Sequence, residues 1–304
     1  MSDKIVVSLP EKDNEFQLLQ TADAHAAAGR LRLDVEVLYS ENNAVLQIQQ
    51  LFKVIHADPP PRAIVVEPVA LKSLERVAQA AVRAGVAWAA LNGSAAYFDE
   101  LRRRFPEVPV FAVGSDQVEI GRIQGRHLRI LLPAGGTVVY VQGPRGATAA
   151  EDRSRGLQES IAGGEITTIN LDALWTEESA EQTVRGWLRL RKWESTRIDA
   201  VAAQDDSMAR GARRALEAVP ELAQRCAVIP FLGIDGVPEV GQQLVKQGLL
   251  TATVVMPSNT GAALEALARW LRSGTRPAAS IDLAVHSLPD EQQLRRLASR
   301  HREA

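Results

Sequence analysis

Short apolar stretches alternate with amphipathic ones along the whole 304-residue chain. Ten of the apolar stretches are rich in valine and isoleucine, and several are apolar at every position, which is typical of parallel strands covered on both faces. The predicted strands are Ile5–Leu9, Val35–Ser40, Ala63–Glu67, Val86–Asn92, Val110–Val113, Thr137–Gln142, Ile166–Leu171, Ala200–Gln204, Val228–Ile234 and Leu250–Val255.

Amphipathic stretches between most of these strands predict helices, whose ends are marked by glycine, proline or a capping side chain. The predicted helices include Phe16–Ala28, Leu71–Ala84, Leu128–Leu132 and Gly261–Arg272, with Asn43 capping a further helix and Ser258 capping the last of the four. Strands and helices that alternate throughout a chain are typical of the α/β class. The sequence therefore predicts an α/β fold made of two doubly wound parallel-sheet lobes.

Size and composition limit the classes of function that the chain could have. A chain of this length fits two lobes of about 150 residues each. The net charge of −2 gives no field that would attract nucleic acid, and Cys226 is the lone cysteine. The five histidines have no metal-ligand spacing, so we expect no metal and no cofactor. Four tryptophans in strand or helix patterns, Trp88, Trp187, Trp193 and Trp270, are expected in the cores or on lobe surfaces.

The N-terminus and the hydropathy bear on location. Met1 is followed almost directly by the predicted first strand at Ile5, with no secretory leader. No run of ~18 apolar residues would insert into a membrane. The sequence as written predicts a cytoplasmic protein, whereas a chain from which a signal peptide had been removed would be periplasmic. The first strand also leaves no room ahead of it for a helix-turn-helix that binds DNA.

Enzymatic motifs are absent from the sequence. Gly143-Pro-Arg-Gly146 follows a predicted strand, but it has neither the G-x-G-x-x-G nor the P-loop spacing of a phosphate-binding loop. No G-x-S-x-G elbow occurs, and Cys226 does not lie at a helix N-terminus that would activate a thiol. We therefore expect a protein without catalytic activity.

Five segments together resemble the type I periplasmic binding proteins, especially the ribose- and galactose-binding group, and the ligand cores of related repressors. They are the strand-turn-helix Ala200–Leu216, the G-[FIY]-D-G-x-P-like segment Phe231–Glu239, the L-x-A-T-[IV]-like strand Leu250–Pro257, the crossover Gly114–Gly121 and the turn Gly143–Leu157. The resemblance implies one lobe from residues 1–115 with 257–285 and a second from residues 116–256 with 286–304. The three chain crossings between them imply a hinge that closes the lobes around a small polar ligand.

The resemblance and the strand ends together indicate a site for a sugar or a polyol. Ligands of open α/β sheets bind beyond the carboxyl ends of the strands. Arginine and aspartate hydrogen-bond to hydroxyls there, and an aromatic face covers the C–H face of a sugar ring. The candidate ligand-binding residues are Asp13, Asn14, Phe16, Glu67, Asn92, Arg153, Trp175, Asp205, Asp235 and Met256.

By resemblance, Arg153, Trp175 and Asp235 match the arginine, the stacking aromatic and the aspartate of the sugar site, while Asn14 and Phe16 match an asparagine and an aromatic. Other positions depart from the ribose-binding pattern. Glu67 and Asp205 stand where asparagines are usual, Asn92-Gly93 replaces an Asp-Arg pair, and Met256 replaces a glutamine. We therefore expect a polyol other than ribose, or a ligand with an amine-like group.

Each candidate also has a purely structural interpretation. Trp175 could be packing, Asp205 a helix cap, Asp235 a turn residue, Glu67 a solvated strand end, and Arg153 an exposed partner of Glu151 or Asp152. Two roles remain open for the whole protein. It could deliver its ligand to an ABC permease, or it could be a cytoplasmic sensing domain that acts on a partner regulator without a DNA-binding domain of its own.

Overall fold

The computed structural model describes residues 4–190 and 196–303, and Trp193 lies outside these ranges. The chain divides into two compact units, each made of two segments. Unit 1 is Met1–Asp116 with Ser258–Leu283, and unit 2 is Gln117–Pro257 with Ala284–Ala304. Each unit has a parallel sheet with helices, so the predicted α/β class with two parallel-sheet lobes is confirmed.

Unit 1 is built on a six-stranded parallel sheet. Its strands are β1 (Lys4–Leu9), β2 (Asp34–Tyr39), β3 (Ala63–Val66), β4 (Ala87–Leu91), β5 (Val110–Gly114) and β11 (Ser280–Asp282). Its helices are α1 (Glu15–Leu31), α2 (Ala44–Ile55), α3 (Glu75–Arg83), α4 (Tyr97–Arg104) and α11 (Thr260–Ser273), with a 3-10 turn at Leu71–Leu74. The strand order is β2-β1-β3-β4-β5-β11.

The central strands of unit 1 are apolar on both faces because helices cover both sides of the sheet. Strands β3 and β4 are buried at every position, and Trp88 of β4 is fully buried. One apolar cluster packs against α2, α3 and α4, and another packs against α1 and α11. Since all the strand pairs are parallel, the carboxyl ends of the strands meet at a single edge of the sheet.

Unit 2 has a four-stranded parallel sheet in the order β7-β6-β8-β9 and a separate antiparallel pair, β10 with β12. Its strands are β6 (Gly136–Gln142), β7 (Ile166–Asp172), β8 (Ala200–Ala203), β9 (Phe231–Leu232), β10 (Thr253–Val255) and β12 (His286–Leu288). Its helices are α5 (Gln117–Leu131), α6 (Thr148–Ile161), α7 (Glu177–Arg189), α8 (Asp206–Glu217), α9 (Pro220–Ala223), α10 (Gly241–Lys246) and α12 (Glu291–Glu303), with a 3-10 turn at Arg225–Ala227.

Helices α5 and α6 cross in backbone contact because glycines line the crossing. A Cβ atom added to Gly121 would lie 2.0 Å from the carbonyl oxygen of Arg153, and one added to Gly156 would lie 1.9 Å from that of Val118. No side chain fits at either position. This close packing fixes the middle of α6, where Arg153 lies, against the start of α5.

Several sequence predictions of element bounds are wrong. The strand predicted over Val228–Ile234 shrinks to Phe231–Leu232, because the preceding residues form a 3-10 turn and leave Val228 71% exposed. The short strands β11 and β12 were not predicted, since segments of three residues carry too little periodicity to recognise. Ser258 does not cap α11. Its hydroxyl donates instead to side chains of α1, and Asn259 occupies the capping position.

Candidate functional site

Two predicted site residues meet at the carboxyl edge of the unit 1 sheet. Glu67 directly follows β3 and Asn92 directly follows β4, and the Asn92 Nδ2 atom donates to Glu67 Oε1 at 3.1 Å. Asn92 has a left-handed backbone with φ of 54°, and Gly114 of β5 packs against it. A Cβ atom at Gly114 would lie 2.9 Å from Asn92 Cα, so the glycine leaves room for this turn.

Two further side chains join these residues into a closed ring of hydrogen bonds. Gln20 of α1 donates from Nε2 to Glu67 Oε2 at 3.1 Å and also to Asn259 Oδ1. Asn259 donates from Nδ2 to Asn92 Oδ1 at 2.7 Å. We call Gln20, Glu67, Asn92 and Asn259 the amide ring. Glu67 is therefore half-buried and hydrogen-bonded, and the interpretation as a solvated strand end is wrong.

The three candidates that follow β1 are not members of this ring. Asn14 caps α1, because its Oδ1 atom accepts the backbone N–H groups of Phe16 at 2.9 Å and Gln17 at 3.2 Å. Phe16 is buried, and Asp13 is exposed. A binding role for the three residues stays a prediction.

In unit 2 the predicted arginine is buried, and its guanidinium has partners on several elements. Arg153 is 6% exposed, and its Nε atom donates to Gln117 Oε1 at 2.8 Å. Its Nη1 atom donates to the backbone carbonyl of Gln204, which follows β8, and its Nη2 atom to Met256 Sδ at 3.2 Å. The interpretation of Arg153 as an exposed helix residue paired with Glu151 or Asp152 is therefore wrong.

A carboxylate and an indole complete the surroundings of this guanidinium. Asp235 Oδ1 lies 3.7 Å from Arg153 Nη2, and the Trp175 ring centroid lies 5.6 Å from Arg153 Cζ, within cation–π range. Trp175 and Asp235 both have positive φ angles, 61° and 98°. Trp175 also packs so closely on Gly143 that a Cβ atom there would meet the indole at 2.2 Å. We call Gln117, Arg153, Trp175, Asp235 and Met256 the arginine cluster.

The two neighbouring aspartates at the start of α8 have different roles. Asp205 caps the helix by accepting the N–H of Met208, as one interpretation of the sequence predicted. Asp206 is buried, and it accepts the N–H of Gly236 at 2.7 Å and the hydroxyl of Thr253 at 2.6 Å. Burial raises the pKa of Asp206 well above its ordinary value, and the nearby Asp235 carboxylate raises it further.

Sequence reasoning missed the residues that hold these clusters in place. Gln20 lies on the buried face of α1 with Phe16, Ala24 and Ala27, where a glutamine looks like a polar interruption of an apolar face. Gln204 ends a predicted strand and was not considered as a partner. Its buried amide binds four groups: it accepts from Gly143 N at 2.8 Å and donates to Tyr140 OH at 2.7 Å, and to Ala150 O and Ser154 Oγ, both at 2.9 Å.

Both clusters consist largely of polar side chains that their neighbours hold in place. Each presents amide, carboxylate or guanidinium groups in fixed orientations, which suits hydrogen bonds to several hydroxyls of one small molecule. Within residues 4–190 and 196–303, no group of three histidine, cysteine, aspartate or glutamate residues could hold a metal ion. No helix in these ranges is long and apolar enough to cross a membrane.

The chain is similar to known proteins both in sequence and in fold. Residues 5–273 match the family described as the periplasmic binding protein domain. The ribose import binding protein of Salmonella typhimurium is 25% identical over 261 residues, which are 86% of this chain and 81% of that protein. The Caulobacter myo-inositol binding protein, solved with myo-inositol, has a TM-score of 0.78 at 24% identity, covering 99% of this chain and 97% of that one. The fructose-binding periplasmic domain of a hybrid two-component system has a TM-score of 0.80 at 21% identity, covering 99% and 94%.

Proposed function

The chain belongs to the periplasmic binding protein domain family, and on that premise we propose that its solute is a sugar or a polyol. The family predicted from the sequence segments is confirmed, and so is the prediction of a binding protein without enzymatic activity. The ribose import binding protein and the myo-inositol binding protein support the solute class, since both are named for polyhydroxylated compounds.

The arginine cluster is the observation that carries the proposal. A guanidinium presents several donors in a fixed plane, and the Asp235 carboxylate beside it accepts hydrogen bonds. The Trp175 indole next to the pair offers an apolar face for the C–H groups of a sugar ring. Donor, acceptor and aromatic face together are what a polyhydroxylated solute needs, and we assign Arg153, Trp175 and Asp235 to binding.

A second group of polar side chains, in unit 1, also supports the proposal. Glu67 and Asn92 lie at the carboxyl edge of its parallel sheet, where ligands of open α/β sheets bind. Glu67 is held by two amide donors of its own unit. Amide donors already stabilise its negative charge, so we favour a neutral polyol over an amine-like ligand.

Two roles follow from solute binding. We propose delivery to an ABC permease in the periplasm, which family membership and the ribose import relative support. A sensing role through a partner protein is the second candidate, which the fold similarity to a domain of a hybrid two-component system favours. An ABC permease reconstituted in vesicles distinguishes the two roles. If this protein co-purifies with the permease only when sugar is present, delivery is favoured.

A thermal-shift screen tests the proposed solute class. A solute that binds only the folded protein raises its melting temperature. D-ribose, D-fructose, myo-inositol and amino sugars form the first panel, and we expect a shift with at least one neutral polyol. Arg153→Ala and Asp235→Ala should each abolish the shift in a folded protein, whereas Arg155→Ala, an exposed neighbour on α6, should retain it. If none of the compounds raises the melting temperature of the wild-type protein, the proposal is contradicted.

A further inference from the structure

The orientation of every amide in the amide ring follows from backbone groups that can only donate or only accept. Gln20 Oε1 accepts the backbone N–H groups of Asn259 at 3.0 Å and Thr260 at 3.2 Å, and the hydroxyls of Ser258 at 2.6 Å and Thr260 at 2.8 Å. Since a backbone N–H cannot accept, the Gln20 atom that faces α11 must be its carbonyl oxygen. Its NH2 group therefore points to Glu67 and Asn259.

The same reasoning passes from Gln20 to the other members. The oxygen of Asn259 faces the Gln20 NH2 group, so its own NH2 group faces Asn92 Oδ1 and, at 3.4 Å, the carbonyl oxygen of Val113, which can only accept. The Asn92 NH2 group is then left to donate to Glu67 Oε1. Two independent backbone anchors, the start of α11 and Val113, thus require the same arrangement.

This arrangement determines which hydrogen-bonding role the two carboxylate oxygens of Glu67 can have. Each of its two carboxylate oxygens faces an NH2 donor, from Asn92 on one side and from Gln20 on the other, at 3.1 Å in both cases. An NH2 group in place of either oxygen would face another NH2 group and could not accept its hydrogen bond. The ring is therefore compatible with Glu67 as an acceptor on both oxygens.

We propose that Gln20 and Asn259 are positioning residues that make Glu67 a fixed double acceptor, so that unit 1 recognises hydroxyl donors of the solute. The inference rests on the proposed function, because it assumes that Glu67 and Asn92 contact the sugar or polyol. Gln20 sets the direction of the amides, and Asn259 transmits it to Asn92. Specificity in unit 1 then depends on two residues that need not touch the solute.

The ring itself is tested without any solute. We compare Gln20→Leu with Gln17→Leu, which removes another buried amide from the same helix but outside the ring. NMR spectra of the side-chain amides should show Asn92 and Asn259 shifted and exchanging faster with solvent in Gln20→Leu, and unchanged in Gln17→Leu. Side-chain amides of Asn92 and Asn259 that keep their wild-type shifts and protection in Gln20→Leu would overturn the inference.

The variant Gln20→Glu tests positioning through a pH profile, and it also serves if Gln20→Leu does not fold. The introduced carboxylate can still accept the N–H groups of α11, but its second oxygen faces the Glu67 carboxylate. Two carboxylates in contact share a proton, which they release as pH rises. Loss of a hydrogen bond to a charged group corresponds to about tenfold or more in Kd.

Calorimetric titration with D-ribose, D-fructose and myo-inositol gives the readout. Relative to wild type at the same pH, Gln20→Glu should bind more weakly by about tenfold near pH 8 and should recover as the pH falls toward about 5. A ratio of Kd values that does not change with pH would contradict positioning by Gln20. If none of the three compounds binds to wild type, the proposed function fails for these solutes, while the NMR comparison still decides whether Gln20 orients the ring.

Discussion

The amide ring of unit 1 and the arginine cluster of unit 2 both lie at carboxyl edges of parallel sheets, but they hold their groups by different means. In the ring, neutral amides surround one carboxylate, and backbone groups determine the direction of each hydrogen bond. In the cluster, a buried guanidinium binds an amide oxygen, a backbone carbonyl, a thioether and a carboxylate at 3.7 Å.

This difference in how the polar groups are held predicts a difference in selectivity between the amide ring and the arginine cluster. Directed amides distinguish donors from acceptors, because a wrong partner leaves a buried polar group unsatisfied. A guanidinium that has a thioether and a loosely placed carboxylate among its partners can donate to a new oxygen atom in place of the sulfur, since sulfur is a poor acceptor. We therefore expect the amide ring to discriminate by hydrogen-bond direction and the arginine cluster to tolerate a wider range of oxygen partners.

Removal of the arginine should have the largest effect. Arg153→Met keeps much of the apolar stem but leaves Asp235 and the Gln117 oxygen without their cationic partner, which costs about 3 kcal/mol in the free energy of unfolding. Arg155→Met removes an exposed arginine of the same helix, paired with Asp152, and should change stability by less than about 1 kcal/mol. Urea unfolding measures both, and equal effects would mean that the cluster does not depend on its cation.

Crowding the indole tests whether Trp175 is held in place. Gly143→Ala introduces a methyl group at 2.2 Å from the Trp175 ring, so the indole must move away from residue 143, at a cost of about 1–3 kcal/mol. The matched control is Gly186→Ala in helix α7, where the added methyl meets nothing and should stabilise by about 0.5–1 kcal/mol. Urea unfolding and tryptophan fluorescence follow the two variants. An unchanged spectrum in Gly143→Ala would contradict the packing.

Much of the fold and part of each cluster could be predicted from local sequence. Strands buried on both faces produce continuous apolar stretches, and Glu67 and Asn92 could be picked out because they end such stretches. Arg153 and Asp235 stood in recognisable segments. These signals are local, so they needed no knowledge of which helix packs on which sheet.

The partners of these residues could not be predicted, because they depend on long-range contacts. Gln20 and Asn259 bind each other across 239 positions in the chain, and a glutamine on a helix face gives no sign of a partner so distant. Whether Arg153 was buried or exposed depended on the crossing of α5 and α6 at Gly121 and Gly156, two glycines predicted from the sequence to lie in a crossover and in a turn. Tertiary packing decided both cases.

A substitution that keeps the shape of Glu67 but removes its charge is a milder test of the ring. Glu67→Gln keeps the shape but puts an NH2 group against the NH2 group of either Gln20 or Asn92, which should cost about 1–2 kcal/mol. The surface variant Glu265→Gln loses an ion pair with Arg30 whose side chains are half-exposed, and should cost less than about 1 kcal/mol. Urea unfolding compares them. If Glu67→Gln is as stable as wild type, the amides of the ring are free to turn.

The smallest effect concerns a buried carboxyl group beside the arginine cluster, and it appears as a pH dependence. Burial and Asp235 raise the pKa of Asp206 in the folded protein, so the folded state binds this proton more tightly than the unfolded state. Its contribution to stability is therefore fully present below about pH 4 and is lost as the pH rises through the raised pKa.

Asp206→Asn removes this titration but preserves the contacts, because the introduced amide can accept the N–H of Gly236 and donate to the Thr253 hydroxyl. The free energy of unfolding of the variant should lie within about 1 kcal/mol of wild type near pH 4. As the pH rises toward 7, the variant should become more stable relative to wild type. Urea unfolding at a series of pH values measures the difference, and parallel curves would mean that folding does not raise the pKa of Asp206. Asp235, not Asp206, is the carboxylate that lies beside Arg153, whereas the partners of the Glu67 carboxylate within the amide ring are neutral amides.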